Sequence, residues 1–371
     1  MPEELISSIS PEDRERLEMT GIELSEENRS GSFIQTDQHI HHSSSKTEGI
    51  EMLPIDIALK KYDWLADKFW NLVKRDKDEA TKIVSDKEEH EGPRGFCIIA
   101  RKGSKNVFPL QSCLFMKNAE VQTVHNIIIA EEGSELHLIT GCTSSIGRER
   151  GAHYGITEIY VGKDALVSNT MIHTWGENIR VIPRSATVVE ENGTFLSNYV
   201  SMNPVGYVQM YPVADLAGKN AVARFNSIVV AQKGSELDLG QRAILNAEGT
   251  SAELISRLIT TGGKSVSRSH IIGAAPNTKG HIECKGLILK DGTIHAVPEI
   301  EGRLTNTELS HEAAVGKIAR DEIEYLMARG LNEEEATATI IRGFLDVRIK
   351  GLPSSLQKKI DMAIDAAESG F

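Results

Sequence analysis

A glycine rhythm constrains this chain more than any other feature. One turn-like phrase recurs as Glu131-Glu132-Gly133-Ser134-Glu135-Leu136, Glu191-Asn192-Gly193-Thr194-Phe195-Leu196, Gln232-Lys233-Gly234-Ser235-Glu236-Leu237 and Lys290-Asp291-Gly292-Thr293-Ile294. With Gly162 and Gly263 added, the turn glycines stand 29, 31, 41, 29 and 29 residues apart, and Gly249 falls midway between Gly234 and Gly263. Between the turns lie short alternating segments such as Ile156-Thr157-Glu158-Ile159-Tyr160-Val161 and Ile228-Val229-Val230-Ala231. A repeat of this size, with strands on both sides of each turn, is what the stacked coils of a β-solenoid produce, each burying its apolar face on the next. An antiparallel sandwich with regular hairpins is the alternative, but its turns come every 8–12 residues or so, and the solenoid is favoured. Only 5% of the chain is aromatic, which suits a core of stacked small and β-branched side chains. The long step of 41 spans Asn198 to Arg224, where Pro204, Gly206, Pro212 and Gly218 imply an irregular excursion.

The flanks read differently. Ser10-Pro11-Glu12-Asp13 combines an N-cap serine, a proline at the first helical position and early acids, so a short helix starts there and fades near Gly21. Gly31 to Gly49 is polar and loop-like, whereas Leu53 to Val73 carries apolar residues at mixed three- and four-residue steps and reads as an amphipathic helix or helical pair. A charged stretch from Lys74 to Glu91 then reaches Gly92-Pro93, the first expected boundary. After Thr305 helical texture returns: Glu312 to Met327 closes on Arg329-Gly330, and Asn332 with Glu335 makes a capping-box start for a second helix. A last helix is expected from Ser354 to Ala367. The expected organisation is an N-terminal helical region (1–92), a β core (93–304) and a C-terminal helical region (305–371), which fits 371 residues as one repeat domain with flanks.

The net charge of −12 argues against nucleic acid or an anionic membrane surface as the main partner. No apolar run approaches the roughly 18 residues of a membrane span, and the first residues are acidic without a hydrophobic core, so a soluble, cytoplasmic protein is expected. Cys97, Cys113, Cys142 and Cys284 form no CxxC pair, which excludes a zinc ribbon or a self-contained ferredoxin motif, and a disulfide framework is not expected.

Gly262-Gly263-Lys264-Ser265 looks like the end of a phosphate-binding loop, but that motif needs glycine where Leu258 stands, so no nucleotide site is assigned. His39, His41 and His42 lie in a polar stretch without ordered carboxylates or thiols, and a solvated loop is favoured over a metal site. Cys284 sits in a strand-like run where it shares a face with Ile282 and Gly286, while His281 and Glu283 take the other. An inert buried cysteine and a reactive thiol beside Lys285 both remain open. His311 and Glu312 offer an imidazole and a carboxylate compatible with iron, or a surface pair after a capping serine, and spacing alone does not bring them to Cys284.

The run from His281 to Gly330 resembles the C-terminal core of the SufB/SufD family of iron–sulfur cluster assembly scaffolds. The resemblance rests on Cys284, His295-Ala296-Val297-Pro298, Ser310-His311-Glu312-Ala313 and the Tyr325-Leu326…Arg329-Gly330-Leu331 ending, with Glu132-Gly133-Ser134, Thr140-Gly141-Cys142-Thr143 and His153 upstream. It implies a right-handed parallel β-helix with helical N- and C-terminal parts. It further implies a non-catalytic scaffold in which two subunits pair through the β-helix and each C-terminal region docks a SufC-type ABC ATPase that hydrolyses the nucleotide. By the same resemblance Cys284 accepts sulfur and ligates a transient iron–sulfur cluster, Glu312 and His311 are further metal ligands at the pair interface, and Cys142 receives sulfur at the far end of a path through the β-helix. With His311 and Glu312 both present, one chain could serve as both halves of a homodimer, fed by a sulfur donor and relieved by apo-protein recipients. The rivals are a β-helix carbohydrate-active enzyme and a structural solenoid. The first would need acids on one exposed strand face rather than in turns, and the helical ends would cap the stacking of the second.

Overall fold

The computed structural model describes residues 9–22, 29–147 and 150–345. It is a β-solenoid of about eight turns with terminal helices. Each coil contributes one stretch to each of two facing sheets. The first sheet stacks, in order, His39–Ser45, Gly31–Thr36, Leu110–Met116, Glu135–Ser144, Leu166–Thr174, Thr194–Ser201, Val222–Ala231, Ser251–Thr260, Lys279–Ile288 and Glu308–Gly316. The second includes Ile50–Pro54, Phe96–Ala100, Val121–Ala130, Gly151–Val161, Glu236–Leu245, Lys264–Gly273 and Thr293–Gly302. Among the described residues pairing is parallel throughout the stack, and antiparallel only where Gly31–Thr36 meets His39–Ser45 and Ile50–Pro54 meets Phe96–Ala100. Thr194 pairs with Val222, and Lys279 with Glu308, so the register repeats every coil and side chains stack in rows.

The glycines of the rhythm serve two corners. Gly133, Gly162 and Gly193 lie where the chain passes from the second sheet to the first; Gly234, Gly263 and Gly292 lie where it passes back. The step of 41 is therefore a change of corner, rather than the irregular excursion expected from the prolines. Pro183 and Pro212 do leave a mark, because each interrupts the second sheet between a pair of short strands, Ile179–Val181 and Arg184–Val189, then Tyr207–Met210 and Val213–Leu216. Gly133 and Gly234 take left-handed φ values of 67° and 90°. In the intervening coils Asp164 and Asn192 adopt that conformation instead, and the Asn192 amide donates to Asp164 Oδ1 at 2.9 Å.

Inward positions alternate with outward ones along every strand. One inward row runs Ser112, Thr140, Met171, Tyr199, Ser227, Ser256, Cys284, Ala313 through successive coils. On either side, the neighbouring inward rows end in His311 and Val315. Large apolar groups concentrate near the start of the stack, with Phe33, Phe96, Leu110 and Met116 buried.

Helices α1 (Pro11–Met19), α2 (Ile55–Lys61), α3 (Glu79–Glu91), α4 (Arg320–Met327) and α5 (Glu333–Leu345) lie outside the sheets. The Ser10 hydroxyl caps α1 through Asp13 N, and Asn332 with Glu335 makes a reciprocal capping box at α5, as the sequence led us to expect. The α2–α3 insertion covers the second sheet: Ile55 and Leu65 pack on Ile127 and Ile129, while Trp70 and Val84 pack on Tyr154 and Ile156. Helix α5 lays Ile341 and Leu345 on outward residues of the first sheet such as Ile228 and Ile259. Burying those two side chains contributes about 1.5–3 kcal/mol each, against about 1–2 kcal/mol per residue to order the backbone. Helix α4 buries none of its residues, so the C-terminal helices are lightly held.

Several local expectations are corrected. Gly31 to Gly49 is not a loop but an antiparallel hairpin whose first strand buries Phe33 in the solenoid core and Ile34 on the opposite face beneath α1. Leu53–Val73 does hold a helical pair, but of unequal kinds, an α-helix at Ile55–Lys61 and a 3-10 helix at Asp63–Lys68, and the charged stretch after it holds the longer helix α3. Glu312 does not open a helix: the stack continues through Glu308–Gly316, and helix begins at Arg320. There Leu309, Ala313 and Val315 fit a period of two as well as a helical one, and pairing with Lys279–Ile288 decides. Strands thus occupy ground on both sides of 93–304. The helix expected over 354–367 lies outside the described residues. Among the described residues no helix is long and apolar enough to cross a membrane.

Candidate functional site

Cys284 projects inward from Lys279–Ile288, 2% exposed, on the same face as Ile282, while His281 and Glu283 face out. Burial pushes its thiol pKa up; the Ser267 hydroxyl across the core and the Arg257 charge oppose that shift without cancelling it. The group is therefore a neutral thiol at neutral pH, nucleophilic only once deprotonated or uncovered. Lys285 does not turn inward: its Nζ binds Glu283 Oε1 at 2.9 Å and Glu312 Oε1 at 3.3 Å on the outer face, and Arg257 also pairs with Glu283.

The wall opposite Cys284 is polar. Ser265, Ser267 and Ser269 all face inward from Lys264–Gly273 and are buried, and the hydroxyl oxygens of Ser265 and Ser269 have no hydrogen-bond partner among the described residues. Gln241 Nε2 donates to Ser256 Oγ at 3.2 Å, directly beneath Cys284 in its row. Sequence reasoning missed this wall. Its signal was a serine at every second position after Gly263, in the segment set aside as an incomplete phosphate loop, and Lys264 there simply pairs with Glu236 at 3.2 Å.

His311 and Glu312 lie on the last strand. His311 is in register with Ile282 and so on the inward face, one row from Cys284; Ala313 stands over Cys284, and Glu312 faces outward beside Glu283. No strand pairs beyond Glu308–Gly316 among the described residues, so these inward positions open to solvent, with Ile300 38% and Val315 41% exposed. The fold thus brings Cys284 and His311 to one face of one end, and puts Glu312 at its rim. No group of three or more His, Cys, Asp or Glu set to hold a metal ion occurs among the described residues; His39, His41 and His42 lie on an edge strand, where His42 Nε2 meets Ser44 Oγ at 2.8 Å.

Cys142 is also inward and buried, between Leu114 and His173 in its row, and burial pushes its thiol far up with Cys113 adding to the shift. It is not near Cys284. Five strand steps separate them, about 24 Å at roughly 4.8 Å per step. Between them lie two small internal voids. One of about 20 Å³ touches Cys142, His153 and His173; the other, of about 50 Å³, touches Tyr199, Ser227, Gln241, Ser256 and Ser267; Asn169 and Met171 border both. His173 Nδ1 meets the Tyr199 hydroxyl at 3.1 Å, and Ser227 Oγ donates to Ser256 Oγ at 3.1 Å. Burial holds His153 at a pKa of about 4 and His173 well below the usual imidazole range, so both are neutral. Cys97 and Cys113 face outward under the helical parts, and burial pushes both thiols up to about 12.

A family model described as "SUF system FeS cluster assembly, SufBD core domain" matches residues 114–344, a span that contains Cys142, Cys284, His311 and Glu312. The chain belongs to the SufBD family. Similar SufBD chains, each named an iron-sulfur cluster assembly SufBD family protein, come from Archaeoglobus fulgidus (51% identical, covering 96% of this chain and 95% of the relative) and Methanothermobacter thermautotrophicus strain Delta H (42% identical, covering 98% and 89%). A third, from Staphylococcus saprophyticus, is 32% identical and covers 85% of this chain and 68% of its own length. Parallel stacking and an open C-terminal coil are thus features of a SufBD protein of iron–sulfur cluster assembly.

Proposed function

We propose that this SufBD chain is a scaffold on which an iron–sulfur cluster is assembled as cargo between two copies and then released. The observation that carries the reading is the incomplete end: Cys284 and His311 share an inward face there, and among the described residues the coil that bears His311 has no further strand beside it and no ligand set is complete. Pairing two such ends doubles the donors. Soft thiolate from Cys284 holds the cluster, while imidazole from His311 and carboxylate from Glu312 exchange more readily and let it leave. Glu312 is free to turn, because its contact with Lys285 is a half-exposed ion pair worth no more than about 1 kcal/mol.

Cys142 is the second sulfur-accepting residue in this reading, and the line of voids and hydroxyls between it and Cys284 supports a route for sulfur inside the solenoid. The 305–371 region is the docking element for a SufC-type ABC ATPase: helix α4 exposes Tyr325 and Met327 and buries nothing. ATP hydrolysis by that partner supplies the work of uncovering a thiol that the fold keeps beneath one coil.

Anaerobic reconstitution with iron and sulfide tests the site, read as bound iron and sulfide per chain and by Mössbauer spectroscopy. Cys284→Ser is expected to lose the cluster, His311→Ala to retain a small fraction, and Glu312→Gln an intermediate amount. Parent-level cluster on Cys284→Ser would overturn the assignment, and failure of the chain to co-purify an ABC ATPase would overturn the partner.

A further inference from the structure

On the outer face of the second sheet, the Leu72–Thr81 segment of the helical insertion overhangs a cleft of about 500 Å³. Its walls carry Lys74, Lys77, Arg184, Arg242 and Arg268 against two acids, Asp78 and Asp238. That excess of positive charge stands out in a chain of net charge −12.

The two acids are already matched. Arg184 Nε donates to Asp78 Oδ2 at 2.6 Å while its Nη2 donates to Gln209 Oε1 at 2.7 Å, and Arg268 Nε donates to Asp238 Oδ1 at 2.8 Å. These pairs brace the walls and leave Lys74, Lys77 and Arg242 without an ion pair among the described residues, although the Arg242 charge also acts on Glu301. Lys74 Nζ reaches the Asn71 carbonyl at 2.5 Å. Lys77 makes no hydrogen bond or ion pair among the described residues, and Arg242 Nε is buried without a partner there. A buried guanidinium N–H seeks an acceptor, and this one is offered to a group that enters the cleft. At the floor, Tyr211 lies where a side chain at Gly240 would stand, since a Cβ on that glycine would meet the ring at 2.2 Å. Glycine at 240 is what admits the ring to the cleft.

We propose that this cleft binds a phosphate-bearing small molecule. Several converging cations match its multiple charge, the planar Arg242 fork suits its oxygens, and the volume falls in the range of small-ligand pockets, about 300–1,000 Å³. The site is independent of the thiol end, although its far wall, Arg268, follows Ser267 in the chain and lies on the back of the strand that faces Cys284.

Isothermal titration of the full chain with inorganic pyrophosphate, against sulfate at matched ionic strength, decides the matter. Saturable pyrophosphate binding is expected, weakened about tenfold by Arg242→Gln and by Lys77→Gln and unchanged by the remote Lys219→Gln. Lys77 is exposed, so that variant tests the cleft even if Arg242→Gln disturbs packing. Cys284→Ser should bind pyrophosphate as the parent does, which separates this inference from the cluster reading. Absence of saturable binding, equal affinity in Lys77→Gln, or sulfate binding as tightly as pyrophosphate would each overturn it.

Discussion

At its N-terminal end the stack is closed by antiparallel pairs, Gly31–Thr36 with His39–Ser45 and Ile50–Pro54 with Phe96–Ala100, and filled by Phe33 and Phe96 with ring centroids 5.3 Å apart. At the C-terminal end the same repeat stops in mid-pattern, and inward positions that earlier hold buried side chains here hold exposed Ile300, His311 and Val315. A parallel coil presents the same edge at every rung, so an end must be turned back on itself, covered by other structure, or left for a partner. The first end is closed by the chain itself, and the second is left open, as the proposed pairing of two copies requires.

The largest expected effect sharpens that contrast. Phe33→Ala should cost about 3–5 kcal/mol in urea denaturation, whereas Val315→Ala should cost under about 0.5 kcal/mol when the chain is monomeric. Equal costs would break the comparison, because they would mean the open end is as fully buried as the closed one.

Next come the histidines. His125, buried beneath the insertion, meets Glu88 Oε1 and Glu158 Oε2 at 2.9 Å each and stacks on Phe69. Burial pushes its pKa down, but the hydrogen bonds and charges of Glu158 and Glu88 outweigh it and leave the imidazole raised. A raised folded pKa means the stabilisation is complete below the unfolded value near 6.5 and is lost as pH climbs through the folded value. His125→Gln should therefore lower stability by about 3 kcal/mol at pH 6, with the gap in Tm from the parent narrowing at alkaline pH. His311→Gln, at an exposed position, should leave Tm unchanged; a clear loss there would show that the open end is not open.

Association is the third measure. Ile300→Asp with Val315→Asp should convert a dimer to a monomer in analytical ultracentrifugation while thermal unfolding moves by only a few degrees. Smallest of all, Asn332→Ala removes the capping box of α5 and should cost about 1 kcal/mol, read as faster amide exchange confined to Glu333–Leu345.

Much of this was legible in the sequence, for a physical reason: a stacked coil must turn at fixed intervals, so Gly133, Gly162, Gly234 and Gly263 report the architecture directly. What they could not report is which corner each serves, and so the step of 41 looked like an irregularity. The strand at Gly31–Thr36 was misread because both of its faces are buried and no alternation shows, and the one at Glu308–Gly316 because it lies at a stack end, where one side is solvent and the alternation of buried residues fades. The inward orientation of Cys284 followed from strand alternation. Its nearness to His311 did not, because residues a full coil apart in sequence become neighbours only through register. The serine wall was missed for the opposite reason: its alternation was local and visible, but serine carries no hydrophobic signal.

The row that ends Ser256, Cys284, Ala313 has one last implication. Each rung of a solenoid is held chiefly by its immediate neighbours, so fraying advances from a free end one rung at a time. Cys284 lies beneath a single rung. The effort needed to bare it is therefore local unzipping, insulated from the remainder of the stack, and a partner that tugged only on the C-terminal strand could switch the thiol between hidden and reactive without melting the fold behind it.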